Sequence, residues 1–98
     1  MPRPSRTSPR ERTEGWPDVP SVDPSGEVAR RFALNLRAAM TEFSLRAAQE
    51  KTGVDHATIQ AIMAGKAWPD LDTIAKLERG FGVVLWPGLV DLEDIGEQ

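Results

Sequence analysis

The 98-residue chain has no cysteine and no tyrosine, and His56 is its single histidine. Without cysteine there is no disulfide framework and no thiolate metal site, and one imidazole cannot assemble a zinc site by itself. No cofactor is expected, and a chain of this kind suits a reducing cytoplasm. Long apolar runs are missing as well: no stretch approaches the ~20 residues that span a bilayer. The opening MPRPSRTSPRERTEG lacks the apolar centre of a secretory signal. Its prolines would break the amphipathic helix of an organelle-import peptide. A soluble, uncleaved chain with no membrane partner is the expectation.

Catalytic equipment is also scarce. Asp55 and His56 are chain neighbours at a helix start and point in different directions. No glycine-rich phosphate loop is present. The chain is therefore not read as an enzyme.

What is present is a globular balance, 40% hydrophobic and 28% charged, with a net charge of −3. The charge is unevenly spread. Residues 1–25 are neutral, residues 26–90 carry one excess positive charge, and the acidic surplus sits in residues 91–98. A near-neutral central domain limits nonspecific attraction to phosphate.

Six of the eight prolines fall in residues 1–26. That stretch holds little apolar content beyond Trp16 and a few valines, so it is expected to be a disordered arm, either a solvated tail or a flexible Arg-bearing reach toward DNA. Residues 27–90 read as one domain and residues 91–98 as an acidic tail. Within the domain Val28, Phe32, Leu36 and Met40 recur every four residues, which predicts a first helix over about 27–41. Ser44 is a good N-cap for a second, LRAAQEKT, which Gly53 can end in the left-handed conformation. Asp55 caps a third helix that ends at Gly65. Pro69 and Asp70 separate it from a fourth, LDTIAKLERGF, with Leu71, Ile74, Leu77 and Phe81 on one side. The β-branched GVVLWPGLV reads either as a short strand or as an extended segment over the core.

The second and third helices are joined by TGVD. A glycine ends one, a valine plugs the gap, and Ile59 and Ile62 hold the other to the domain, which is the arrangement of a helix-turn-helix. At 100° per residue, positions 56, 57, 60, 61 and 64 lie opposite Ile59 and Ile62. They form a narrow ridge that fits a major groove ~12 Å wide. Gln60 can pair with adenine N6 and N7, and Ala57 and the Thr58 methyl can touch a thymine methyl. His56 can donate to guanine N7 or O6 or to phosphate, better when protonated, so tighter binding is expected at pH 6 than at pH 8.

The stretch SLRAAQEKTGVDHATIQAIMAGKAWPDLDTIAKLERGFGV resembles the helix-turn-helix domains of phage-repressor/Cro-like (Xre) transcriptional regulators, over roughly residues 28–86. The resemblance implies an all-α, four-helix, lambda-repressor-like domain of bacterial or phage origin that regulates transcription by binding double-stranded DNA. It places base-reading positions at His56, Ala57 and Gln60. Backbone-contacting positions fall at Ser44, Leu45 and Arg46 and around Lys66. Three residues depart from the family pattern. Gln49 stands where a small residue is usual, so its amide needs a partner if buried. Leu45 replaces a common phosphate-binding Gln. Met63 replaces a Glu that pairs with an Arg of the first helix, which frees Arg37 to meet a phosphate.

A homodimer spanning two half-sites is expected, with Val83, Val84, Leu85 and Trp86 as the candidate contact. The alternative is a helix-turn-helix fold that binds a protein, as an antitoxin-like or phage-encoded adaptor. The absence of Arg and Lys from the reading ridge favours that alternative. Trp68 and Trp86 are expected to pack over the open end of the bundle.

Overall fold

A computed structural model describes residues 7–91; expectations that concern residues 1–6 of the arm and 92–98 of the tail lie outside the described residues. Four α-helices follow one another: α1 (Pro24–Ala39), α2 (Leu45–Thr52), α3 (His56–Met63) and α4 (Leu71–Phe81), preceded by a 3-10 turn at Arg10–Arg12. No strand occurs among the described residues. The four-helix, all-α fold expected from the sequence is the one observed.

Each helix begins at a short polar side chain that accepts a hydrogen bond from an N–H the helix cannot itself satisfy. Asp23 accepts from Gly26, Ser44 from Ala47, Asp55 from Ala57 and Asp70 from Thr73. The bonds from Thr73 hold the Asp70 carboxyl below its ordinary pKa. α1 starts earlier than the expected Glu27. Asp23 caps it, and Pro24 brings the fixed φ that suits a first helical position.

The predicted stripe of α1 supplies Phe32, Leu36 and Met40 to the core. They meet Ala48 of α2, Val54 of the turn, Ile59 and Ile62 of α3, and Leu77 of α4. Leu85 closes this cluster from the C-terminal segment, which is extended and irregular. The backbone N–H groups of Leu85 and Trp86 both donate to Glu78 Oε2, at 2.8 and 2.9 Å. The Leu85 carbonyl accepts from Asn35 Nδ2 at 2.8 Å. These bonds turn Leu85 inward to 1% exposure, which corrects its expected place in a dimer contact. Val83, Val84 and Trp86 remain exposed. Trp68 and Trp86 flank an apolar groove of about 250 Å³ together with Val28, Phe32 and Ile74.

The expected disorder of residues 1–26 does not hold for residues 7–26, which are folded onto the domain. Trp16 donates from Nε1 to the Met63 carbonyl at 3.1 Å, and the Arg10 N–H donates to the Gly65 carbonyl at 2.9 Å. Gly65 has φ 73° and lies under the Trp16 ring, so close that a Cβ there would sit 2.6 Å from Trp16 Cε2. Only glycine satisfies both conditions. The Trp68 indole donates to the Thr7 carbonyl at 2.7 Å. Arg12 lies 4.9 Å over the Trp68 ring and donates to Thr7 Oγ1 at 2.7 Å.

Composition pointed the other way because few residues here are apolar. One indole and a set of directional bonds nevertheless offset the ordering cost, which prolines reduce by restricting the unfolded chain. Trp16→Ala removes both the ring over Gly65 and the donor to Met63. It is expected to lower stability by about 2 kcal/mol in chemical denaturation, given a half-buried aromatic. An unchanged denaturation midpoint would mean that this segment contributes nothing to the fold.

Candidate nucleic-acid interface

The turn between α2 and α3 is built from short-range bonds. Gly53 takes φ 79° at the end of α2, and its N–H donates to the Gln49 carbonyl at 2.8 Å. Thr52 Oγ1 donates to the Ala48 carbonyl and accepts from the Val54 N–H. Val54 is thereby held in the core, and Asp55 starts α3. Ile59 and Ile62 are buried at 0% and 2% exposure, which fixes the rotation of α3 about its axis. Ala57, Thr58 and Gln60 are left exposed, with His56, Ala61 and Ala64 half-buried beside them.

The predicted base-reading residues His56, Ala57 and Gln60 thus come together on the first two turns of one helix. Ser44 and Arg46 stand at the start of α2. Ser44 Oγ accepts from the Ala47 N–H at 3.1 Å, so its hydroxyl hydrogen stays available to a phosphate oxygen. Lys66 lies just past α3, and Arg37 is in the last turn of α1, on a separate element. Arg37, Arg46 and Lys66 are exposed and make no ion pair among the described residues. Leu45 and Met63 both pack against the core, in keeping with side chains that replace polar ones.

The family model described as Helix-turn-helix matches residues 35–84, a span that contains α2, α3, α4 and the turn between the first two. The chain belongs to the helix-turn-helix family. That family is one of DNA-binding regulators rather than of enzymes, and this helix-turn-helix protein carries the DNA-binding unit within the matched span. No curated protein and no solved structure matches the chain. No helix among the described residues is long and apolar enough to cross a membrane.

Two features of this helix-turn-helix unit escaped the sequence reading. Gln49 does find a partner: its Oε1 accepts from the His56 N–H and lies 2.8 Å from His56 Nδ1, so the amide bridges α2 to the first residue of α3. The need for a partner was visible in the sequence, but its identity was not. The second is Trp16, whose bond to the Met63 carbonyl satisfies an acceptor at the C-terminal end of α3. Its one sequence signal was a lone indole in a stretch otherwise poor in apolar surface. Arg12, counted with a mobile arm, is instead engaged by Thr7, Asp23 and the Trp68 ring.

Proposed function

We propose that the protein is a sequence-specific transcriptional regulator of bacterial or phage type, working in the cytoplasm, that lays α3 in the major groove of double-stranded DNA. The observation that carries this reading is the exposure pattern of α3. Its two isoleucines are sealed into the core while Ala57, Thr58 and Gln60 are open and His56 is half open. A helix anchored along one side and thin along the other suits close approach to base edges.

In this mechanism Gln60 pairs with adenine N6 and N7, Ala57 lets the helix sit close to a thymine methyl, and His56 contacts a base edge near the start of α3. Ser44, Arg46, Lys66 and Arg37 meet phosphates, which fixes register without specifying sequence. The protein acts as a homodimer on half-sites about one helical turn (~34 Å) apart. Val83, Val84 and Trp86 are the proposed contact, with Val84 79% and Trp86 49% exposed; sedimentation that finds only monomer at micromolar concentration would count against this.

Selection of bound sequences from random duplex DNA at ~150 mM salt tests the function. Wild type is expected to yield a motif, and Gln60→Ala to lose discrimination at one adenine position by about 1–3 kcal/mol. Arg46→Ala and Lys66→Ala are expected to weaken binding evenly across sequences and to reduce the salt slope by about one each. Affinity that does not change between ~50 and ~200 mM salt would point instead to a protein partner held by apolar contacts.

A further inference from the structure

The Gln49 bridge determines which nitrogen of His56 carries hydrogen. A backbone N–H can only donate, so the Gln49 atom 2.8 Å from the His56 N–H is the amide oxygen. That same oxygen is 2.8 Å from Nδ1 of the ring. At this distance Nδ1 must hold a hydrogen, because otherwise two lone pairs would face each other. The neutral ring is therefore the Nδ1–H tautomer, and its Nε2 carries a lone pair. Asp55 Oδ1, 3.8 Å from Nδ1, favours the same arrangement. The His56 side chain is 42% exposed, and Nε2 has no hydrogen-bond partner among the described residues.

We propose that Gln49 is a positioning residue that decides what His56 reads in DNA: the neutral ring offers Nε2 as an acceptor, and only the protonated ring offers it as a donor. This rests on the DNA-binding reading given above. In the major groove the acceptor form fits the amino groups of cytosine N4 and adenine N6, whereas the donor form fits guanine N7 and O6 or a phosphate. Acid adds the hydrogen that turns the acceptor form into the donor form, so preference at one base pair is expected to change with pH. The charged group beside the ring is Asp55 at the cap of α3, with Oδ1 3.8 Å from Nδ1; α2, the helix that carries Gln49, also bears the exposed Arg46 and Glu50. Without the Gln49 oxygen both tautomers are open, and a neutral ring can donate to guanine as well.

The single histidine makes the test direct, since one residue contributes all the imidazole-nitrogen signals. Nitrogen-15 magnetic resonance of the full chain without DNA, at pH 8, is expected to show hydrogen on Nδ1. Gln49→Leu, which removes the acceptor at similar volume, is expected to redistribute it toward Nε2, and Gln49→Glu, which restores an acceptor, to return it to Nδ1. Wild-type hydrogen on Nε2 overturns the proposal whether or not the leucine variant folds. So does a folded leucine variant with an unchanged spectrum.

Sequence selection with wild type at pH 8 and at pH 5.5 is the second measurement. One position is expected to move from cytosine or adenine toward guanine by about fivefold, the weight of one hydrogen bond. An identical motif at both pH values overturns the proposal and leaves the DNA reading standing. No motif at either pH overturns the DNA reading and the proposal with it.

Discussion

Glu27→Gln is expected to lower stability at pH 7 by about 3 kcal/mol and to flatten the acid limb of the stability curve. Glu27 is 0% exposed, and both of its oxygens are used. Oε1 accepts from the Ser21 N–H and Arg30 Nε, each at 2.8 Å; Oε2 accepts from Arg30 Nη2 at 2.8 Å and Arg31 Nε at 2.7 Å. Burial alone pushes the carboxyl up. The bonds from Arg30, Arg31 and Ser21 outweigh it and bring the pKa from 4.5 down to about 2.

A depressed folded-state pKa contributes stability that is complete above the unfolded value. It is lost as pH falls from about 4.5 toward about 2. The variant also deprives Arg30, 12% exposed, of the carboxylate that takes two of its hydrogen bonds, leaving its charge less well compensated. Chemical denaturation of both proteins at pH 7, 4 and 2.5 checks this. Wild type should lose most of its advantage by the lowest pH, and parallel curves would mean that the cluster contributes no pH-dependent stability.

The second large effect is expected at Gly80, near the end of α4. Gly→Ala within a helix ordinarily stabilises by about 1 kcal/mol. Here the added Cβ would lie 2.7 Å from the Thr52 Cα and 2.9 Å from the Lys51 carbonyl oxygen, both backbone atoms of α2 that no rotamer change can move aside. Steric conflict of this kind costs about 1–3 kcal/mol and reverses the sign, so Gly80→Ala is expected to destabilise by about 2 kcal/mol and Gly80→Val by more. The relief available is to push α2 away from α4, and α2 carries Arg46, proposed above to meet a phosphate, and the Gln49 bridge. Affinity for DNA should therefore fall even when corrected for the folded fraction. Denaturation together with a binding titration checks both effects, and a stabilising alanine would show that the two helices do not approach this closely.

The parts of the fold that the sequence made legible are those decided within a few residues. Ser44, Asp55 and Asp70 each bond to an N–H two or three positions on, and Gly53 ends a helix at its own φ, so neighbours suffice to recognise them. The α3 face followed for the same reason, since helical periodicity places Ile59 and Ile62 opposite Ala57 and Gln60. What stayed hidden was decided by distant partners. Trp16 meets Met63 across 47 positions, and Asn35 meets Leu85 across 50. The Gln49 to His56 bond, seven positions apart, depends on the angle that the turn imposes. Neither the burial of Glu27 nor the Ser21 N–H behind it can be read from periodicity. Leu85 was misplaced because an extended run does not declare which of its residues faces inward.

With tyrosine absent, the near-ultraviolet emission of this chain comes from three indoles, and each stands at a different joint. Trp16 covers the end of α3, Trp68 sits under Arg12 beside Thr7, and Trp86 is half open on the C-terminal segment. Variants that keep one indole at a time turn the molecule into its own set of spectroscopic gauges. Loosening of Trp16 from the end of α3, opening of the loop past α3 and contact at the C-terminal face can then be followed separately, without a label.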